Sequence, residues 1–156
     1  MFTLLAMENS EITPMGRLLL DAFKWFDESL LASLNAQGWP NISHSQSIVM
    51  AYLPNEGIRI SELARRLGIS RQAAQKSVSE LEMAKLVTTE IDPTNLSAKT
   101  VILTHQGKAI VKAALDAFAE IEQQLSARIG NAEISHMRMV LEEDWGMPII
   151  MNNKLS

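Results

Sequence analysis

The 156-residue sequence contains no cysteine, which excludes disulfides, thiolate metal sites and cysteine-based redox chemistry. Its three histidines, His44, His105 and His136, stand far apart and share no ligand spacing, so no metal site is expected. No stretch approaches the roughly 20 apolar residues of a membrane span. Met1 to Met7 is apolar but lacks the basic flank and the length of a secretion signal. A cytoplasmic protein with no membrane partner is therefore expected. Enzyme signatures are missing as well: there is no G-x-S-x-G elbow, P-loop or G-x-G-x-x-G fingerprint, and neither catalysis nor a cofactor is expected. What the chain has is 47% hydrophobic residues, enough to bury the core of a single domain over 1–156.

The net charge of −4 is unevenly distributed. Between Gly57 and Lys108 lie eight basic residues (Arg59, Arg65, Arg66, Arg71, Lys76, Lys85, Lys99, Lys108) and five acidic ones (Glu62, Glu80, Glu82, Glu90, Asp92). That middle carries +3, which leaves −7 for the rest of the chain. Basic charge gathered in one segment of an acidic chain suits local contact with phosphates, with only modest long-range steering.

Periodicity divides the chain into helices with one interruption. From Met15 to Asn35, Leu18, Leu19, Ala22, Phe23, Phe26, Leu30, Leu31 and Leu34 recur at helical spacing, with Pro14 suited to the first turn and Gly38 to the exit. Ser43-His44-Ser45-Gln46 matches a capping box that opens a second helix, ended by Pro54-Asn55. Two short helices follow in tandem, about 61–67 and 71–84. Gly68 is suited to close the first and Ser70 to cap the second. A turn this short forces the pair to cross steeply, which is the helix-turn-helix arrangement. The period then drops to about 2: Leu86 to Ile91 and Lys99 to Leu103 read as a hairpin around the turn Asp92-Pro93-Thr94-Asn95. Beyond Thr104, a helix of about 25 residues (~36 Å) runs to Ile129. Gly130-Asn131 breaks it, and a last helix reaches about Glu143. The fold class is thus mainly α with a small β-hairpin.

In the tandem pair, Leu63, Ala64, Leu67, Ile69, Ala74, Val78 and Leu81 are spaced to pack crossed helices as core. Outward on the second helix they leave Arg71, Gln72, Gln75, Lys76 and Ser79, with Ser70 at its start. Amides and cations of this kind can address base edges and phosphates.

With these residues in view, the chain resembles the multiple-antibiotic-resistance-repressor (MarR) type of winged helix-turn-helix regulators. The resemblance rests on Ser61-Glu62-Leu63-Ala64 through Leu67-Gly68-Ile69-Ser70-Arg71-Gln72, on Leu86-Val87, on Asp92-Pro93 and most specifically on Leu103-Thr104-His105-Gln106-Gly107. It implies a dimeric transcription regulator, with residues 42–104 as the DNA-binding lobe and 12–38 with 105–146 as the dimerisation lobe. It also implies that Lys99 contacts DNA from the wing, and that a small aromatic or anionic ligand binds near Arg17, Trp25, Trp39, His44 and Tyr52. Repression is the expected outcome.

Dimerisation is expected on physical grounds too. The end helices carry more apolar surface than the middle can cover, and Ala109, Ala113, Ala114, Ala117 and Ala127 permit close helix approach. A two-fold dimer calls for double-stranded DNA with a palindromic site, its half-sites about 10 base pairs apart. Two departures from the family pattern stand out. Leu96 and Ser97 occupy wing positions where arginine is common, which predicts a weaker wing contact. Lys85 stands where glycine often closes the recognition helix, which predicts a different cap geometry. Net acidity and the arginine-poor wing also leave an alternative, a winged-helix adaptor that binds protein with weak or no DNA binding.

Overall fold

The computed structural model describes residues 12–151, so the Met1 to Met7 reading lies outside the described residues, as does the end of the tail. The element order is α1 (Met15–Ala36), α2 (His44–Ala51), β1 (Ile58–Arg59), α3 (Ile60–Leu67), α4 (Arg71–Met83), β2 (Val87–Asp92), β3 (Asn95–Leu103), α5 (His105–Ile129) and α6 (Asn131–Glu142). Two compact units result, Met1–Ile121 and Glu122–Ser156.

Local chemistry sets most of these boundaries. The capping box is formed in full: the Ser43 hydroxyl accepts from the Gln46 amide at 3.3 Å, and the Gln46 side chain accepts from the Ser43 amide at 3.0 Å. Ser70 caps α4 by accepting from the Ala73 amide at 3.1 Å. Pro14 occupies the cap position of α1 rather than its first turn.

Three helices end in the same Schellman closure. At α1, Gly38 and Trp39 donate back to Asn35 and Leu34; at α3, Gly68 and Ile69 donate to Arg65 and Ala64; at α4, Lys85 and Leu86 donate to Glu82 and Leu81. The residue at the bend takes a left-handed backbone in each, with φ of +82° at Gly38, +64° at Gly68 and +61° at Lys85. The expectation of a different geometry at Lys85 is therefore corrected. The two backbone bonds and the burial of Leu86 impose the glycine geometry on a lysine.

The three strands form one antiparallel sheet in the order β1-β3-β2. β2 pairs with β3 from Val87↔Leu103 to Ile91↔Lys99, and Asp92↔Asn95 closes the hairpin over Pro93-Thr94. β3 thus begins four residues before the Lys99 expected from alternation: the register shifts between Ile91 and Asp92, and Asp92 pairs with Asn95 across the turn. β1, with Ile58↔Val101 and Arg59↔Thr100, was not expected; two residues are too few to display a period.

The core of the first unit joins α1 (Leu30, Leu34), α2 (Val49, Met50), α3 (Ile60, Leu63, Ala64), α4 (Ala74, Val78, Leu81), the sheet (Ile58, Val87, Val101, Leu103) and α5 (Ile110, Ala117, Ile121). Of the core residues expected in the tandem helices, Leu67 is half-buried and Ile69 is 40% exposed. Ile69 sits in the turn itself, where its amide bonds Ala64 while its side chain faces solvent.

The join between wing and α5 explains its own sequence. Thr104 donates from its amide to the Leu86 carbonyl at 3.0 Å, and its hydroxyl donates to the Lys85 carbonyl at 2.7 Å and accepts from the Gly107 amide at 3.0 Å. A Cβ on Gly107 would stand 1.9 Å from that same Leu86 carbonyl oxygen. Only glycine lets α5 start this close to the end of α4.

In the second unit no residue of α6 is buried. Arg138 pairs with Glu122 and, at 3.6 Å, with Glu142, while the Trp145 indole donates to the Val140 carbonyl at 2.9 Å.

Candidate nucleic-acid interface

α4 turns its buried face, Ala74, Ser77, Val78 and Leu81, into the core, and this fixes what faces out. Arg71, Gln72 and Lys76 are exposed, as is the cap residue Ser70. Gln75 and Ser79 are half-buried along the edge of that face, and the Gln75 amide points along the helix to the Ser79 hydroxyl at 3.4 Å. Residues 72, 75, 76 and 79 follow helical spacing, so the amides and cations form one stripe.

The stripe adjoins a concavity of about 160 Å³ lined by Arg59, Ser61, Arg71, Asn95 and Lys99, with Ile60 and Ala98 completing its wall. Arg71 and Lys99, both expected to meet nucleic acid, are thus brought together from α4 and β3. Arg59, Ser61 and Asn95 were not singled out in the sequence. Arg59 belongs to the basic segment, but only the β1–β3 pairing, which sets Arg59 opposite Thr100, carries it beside Lys99. Ile60 and Ser61 open α3, so the amides at that helix start add positive potential to the three cations.

Basic residues on the remainder of α3 are engaged differently. Glu62 accepts from Arg65 Nε and Nη2 at 2.8 and 2.7 Å and from Arg66 Nε at 2.9 Å. Hydrogen bonds from Arg65 and then Arg66 draw its carboxyl down from the usual 4.5 to about 2. Two of the four arginines between Gly57 and Lys108 are therefore engaged by one carboxylate, which offsets half of their charge. On the hairpin, the departure at Leu96 and Ser97 concerns side chains outside the described ones; their backbones lie within β3.

A family model described as the MarR family matches residues 41–95, the span from the capping box to the wing tip. The HTH-type transcriptional regulator TcaR of Staphylococcus aureus (strain Newman) is 32% identical over 105 residues, which cover 65% of this chain and 68% of that protein. The chain belongs to the MarR family. Solved structures share the fold. MarR from E. coli superposes with a TM-score of 0.69 at 22% identity, over 85% of this chain and 97% of that one. A point mutant of S. aureus MepR bound to an oligodeoxyribonucleotide superposes with a TM-score of 0.57 at 21% identity, over 83% and 94%. The MarR-family protein described here is thus a winged-helix transcription regulator, and no helix among its described residues is long and apolar enough to cross a membrane.

The residues expected to hold a small ligand are placed as follows in this MarR-family chain. Arg17 is exposed on α1 and bonds both carboxylate oxygens of Asp21, at 3.0 and 2.9 Å. Trp25, also on α1, meets Phe26 edge to face at 5.1 Å between centroids and remains partly exposed. Trp39 packs against the core, Tyr52 is exposed at the end of α2, and His44 is held by the Asp27 carboxylate. They do not line the basic concavity.

Proposed function

We propose that this regulator is a homodimeric, sequence-specific DNA-binding repressor that lays α4 in the major groove of a palindromic site. The observation that carries the reading is the convergence of Arg59, Arg71 and Lys99 on one concavity beside the outward stripe of α4. Cations beside a groove-reading helix, Lys76 among them, suit the backbone phosphates that flank the groove, which set register while Gln72 and Gln75 address base edges. The oligodeoxyribonucleotide bound by the MepR mutant supports the same role for this fold.

The dimer is supported by unpartnered apolar surface at both ends of the chain. On α1, Met15, Leu18, Leu20 and Phe23 are exposed; in the second unit, Met137, Met139, Val140 and Leu141 of α6 are exposed as well. Surface of this kind marks an association site. A small aromatic or anionic effector bound near Arg17, Trp25, Trp39, His44 and Tyr52 completes the proposal, with release of DNA as its readout.

Selection of bound sites from a random duplex library tests the reading. A palindromic consensus is the expected result, and recovery of no preferred sequence would overturn it. On the selected site, Lys76→Ala should weaken binding to all sequences and reduce the slope of log K against log salt by about 1. Arg59→Ala should act in the same way, as a phosphate contact does, while Gln72→Ala should relax the preference at particular bases.

A further inference from the structure

Among the described residues, Asp27 is the charged side chain that is buried, 4% exposed on the inner face of α1. It marks the point where α1 changes character: Leu18, Phe23 and Trp25 before it are exposed, whereas Leu30 and Leu34 after it belong to the core. Both carboxylate oxygens are engaged by α2. Oδ1 accepts from the Ser47 hydroxyl at 2.9 Å, and Oδ2 is paired with His44 Nδ1. Between those two donors in sequence, Gln46 reaches the other way. Its side-chain oxygen holds the Ser43 amide, and its Nε2 donates to Glu80 on α4 at 3.1 Å. Two sets of side-chain bonds, joined through the backbone of the short helix α2, therefore tie α2 to α1 on one side and to the recognition helix on the other.

Stability alone does not account for these bonds. Removing a carboxylate from water is costly, and its partners at best offset that cost, so a leucine in place of Asp27 could serve the core equally well. What hydrogen bonds add to apolar contacts is directionality, since they weaken steeply once distance or angle departs from the ideal. Asp27 thus holds α1 in one register against α2, and Gln46 with Glu80 passes that register to α4.

We propose that Asp27 is a positioning residue that sets the separation of the two recognition helices in the dimer, and so the half-site spacing the protein accepts. The inference rests on the dimeric DNA-binding reading above. It assigns α1 two tasks, with its exposed first half meeting the second copy and Asp27 tying that contact to the DNA lobe.

The test uses the full chain and the site selected from the random library, alongside versions with one base pair inserted or deleted between the half-sites. Wild-type protein should bind the altered spacings much more weakly than the selected one. Asp27→Asn should reduce that discrimination by about tenfold, with the sedimentation mass and the salt slope unchanged. Ser47→Ala should do likewise, while Ser47→Thr, which keeps the donor, should retain the wild-type ratio. If Asp27→Asn fails to fold, the two Ser47 variants decide the matter. Were the Asp27 contacts merely stabilising, the variants would lose affinity equally at every spacing and the ratio would stay constant, which overturns the proposal. Failure of the DNA-binding reading is visible separately and earlier, as wild-type protein that selects no sequence at all.

Discussion

Lys85 holds a backbone that side chains with a Cβ adopt at a cost of roughly 1–2 kcal/mol, and it does so because the α4 closure needs a left-handed residue there. Its side chain is exposed. Lys85→Gly should therefore stabilise the fold by about 1 kcal/mol, the relief of strain exceeding the entropy of a more flexible unfolded chain. Denaturant unfolding measures this, and a destabilised variant would show that the lysine side chain carries packing of its own. Gly107 presents the reverse case. The missing Cβ leaves room for the Leu86 carbonyl, so Gly107→Ala should destabilise by about 2–4 kcal/mol through overpacking. Thermal unfolding that leaves Gly107→Ala within a degree of wild type would contradict the close approach.

At the scale of the element, α3 has its charges arranged along its dipole, with Glu62 in the first turn and Arg65 and Arg66 in the last. Because the folded-state carboxyl of Glu62 is lowered to about 2 from the usual 4.5, its contribution is fully present above pH 4.5 and is lost as pH falls from there toward 2. Glu62→Gln should flatten that part of the acid-unfolding curve. The same change releases Arg65 and Arg66, so at neutral pH the variant should bind DNA more tightly and with a salt slope steeper by about 1–2. A salt titration with unchanged slope would mean that the two arginines lie beyond reach of the phosphates. The elements also differ in how legible they are. α1 to α4 could be bounded within a residue or two because caps and apolar spacing are properties of adjacent residues. The early start of β3 was not legible, since Asn95 reads as the end of the turn until its pairing with Asp92 is known. Ile69 misled for a related reason: its spacing fits the core face, but it stands in the turn where that spacing no longer maps to a face.

For the whole molecule, the dimer proposed above rests on the apolar surface left exposed on α1 and on α6. Leu18→Asp on α1, and separately Leu141→Asp on α6, should shift the protein from dimer to monomer in sedimentation, since each places a charge on exposed apolar surface. Both variants should keep the helical content of the wild type. DNA affinity should fall with the dimer, because a monomer meets only one half-site. Wild-type protein that sediments as a monomer would remove the assembly from the proposal.

The sequence by itself determined the helices, the short turn between α3 and α4, the hairpin and the outward residues of α4. Each depends on periods and caps within a few positions of the chain. Tertiary structure alone decided that Arg59 and Lys99 share a concavity with Arg71, that Glu62 pairs with two of the arginines in the basic segment, and that Asp27 is buried against Ser47 and His44. Charge and chemistry are legible from residue type, but which groups face one another depends on strand register and helix packing, and these join positions far apart in the chain.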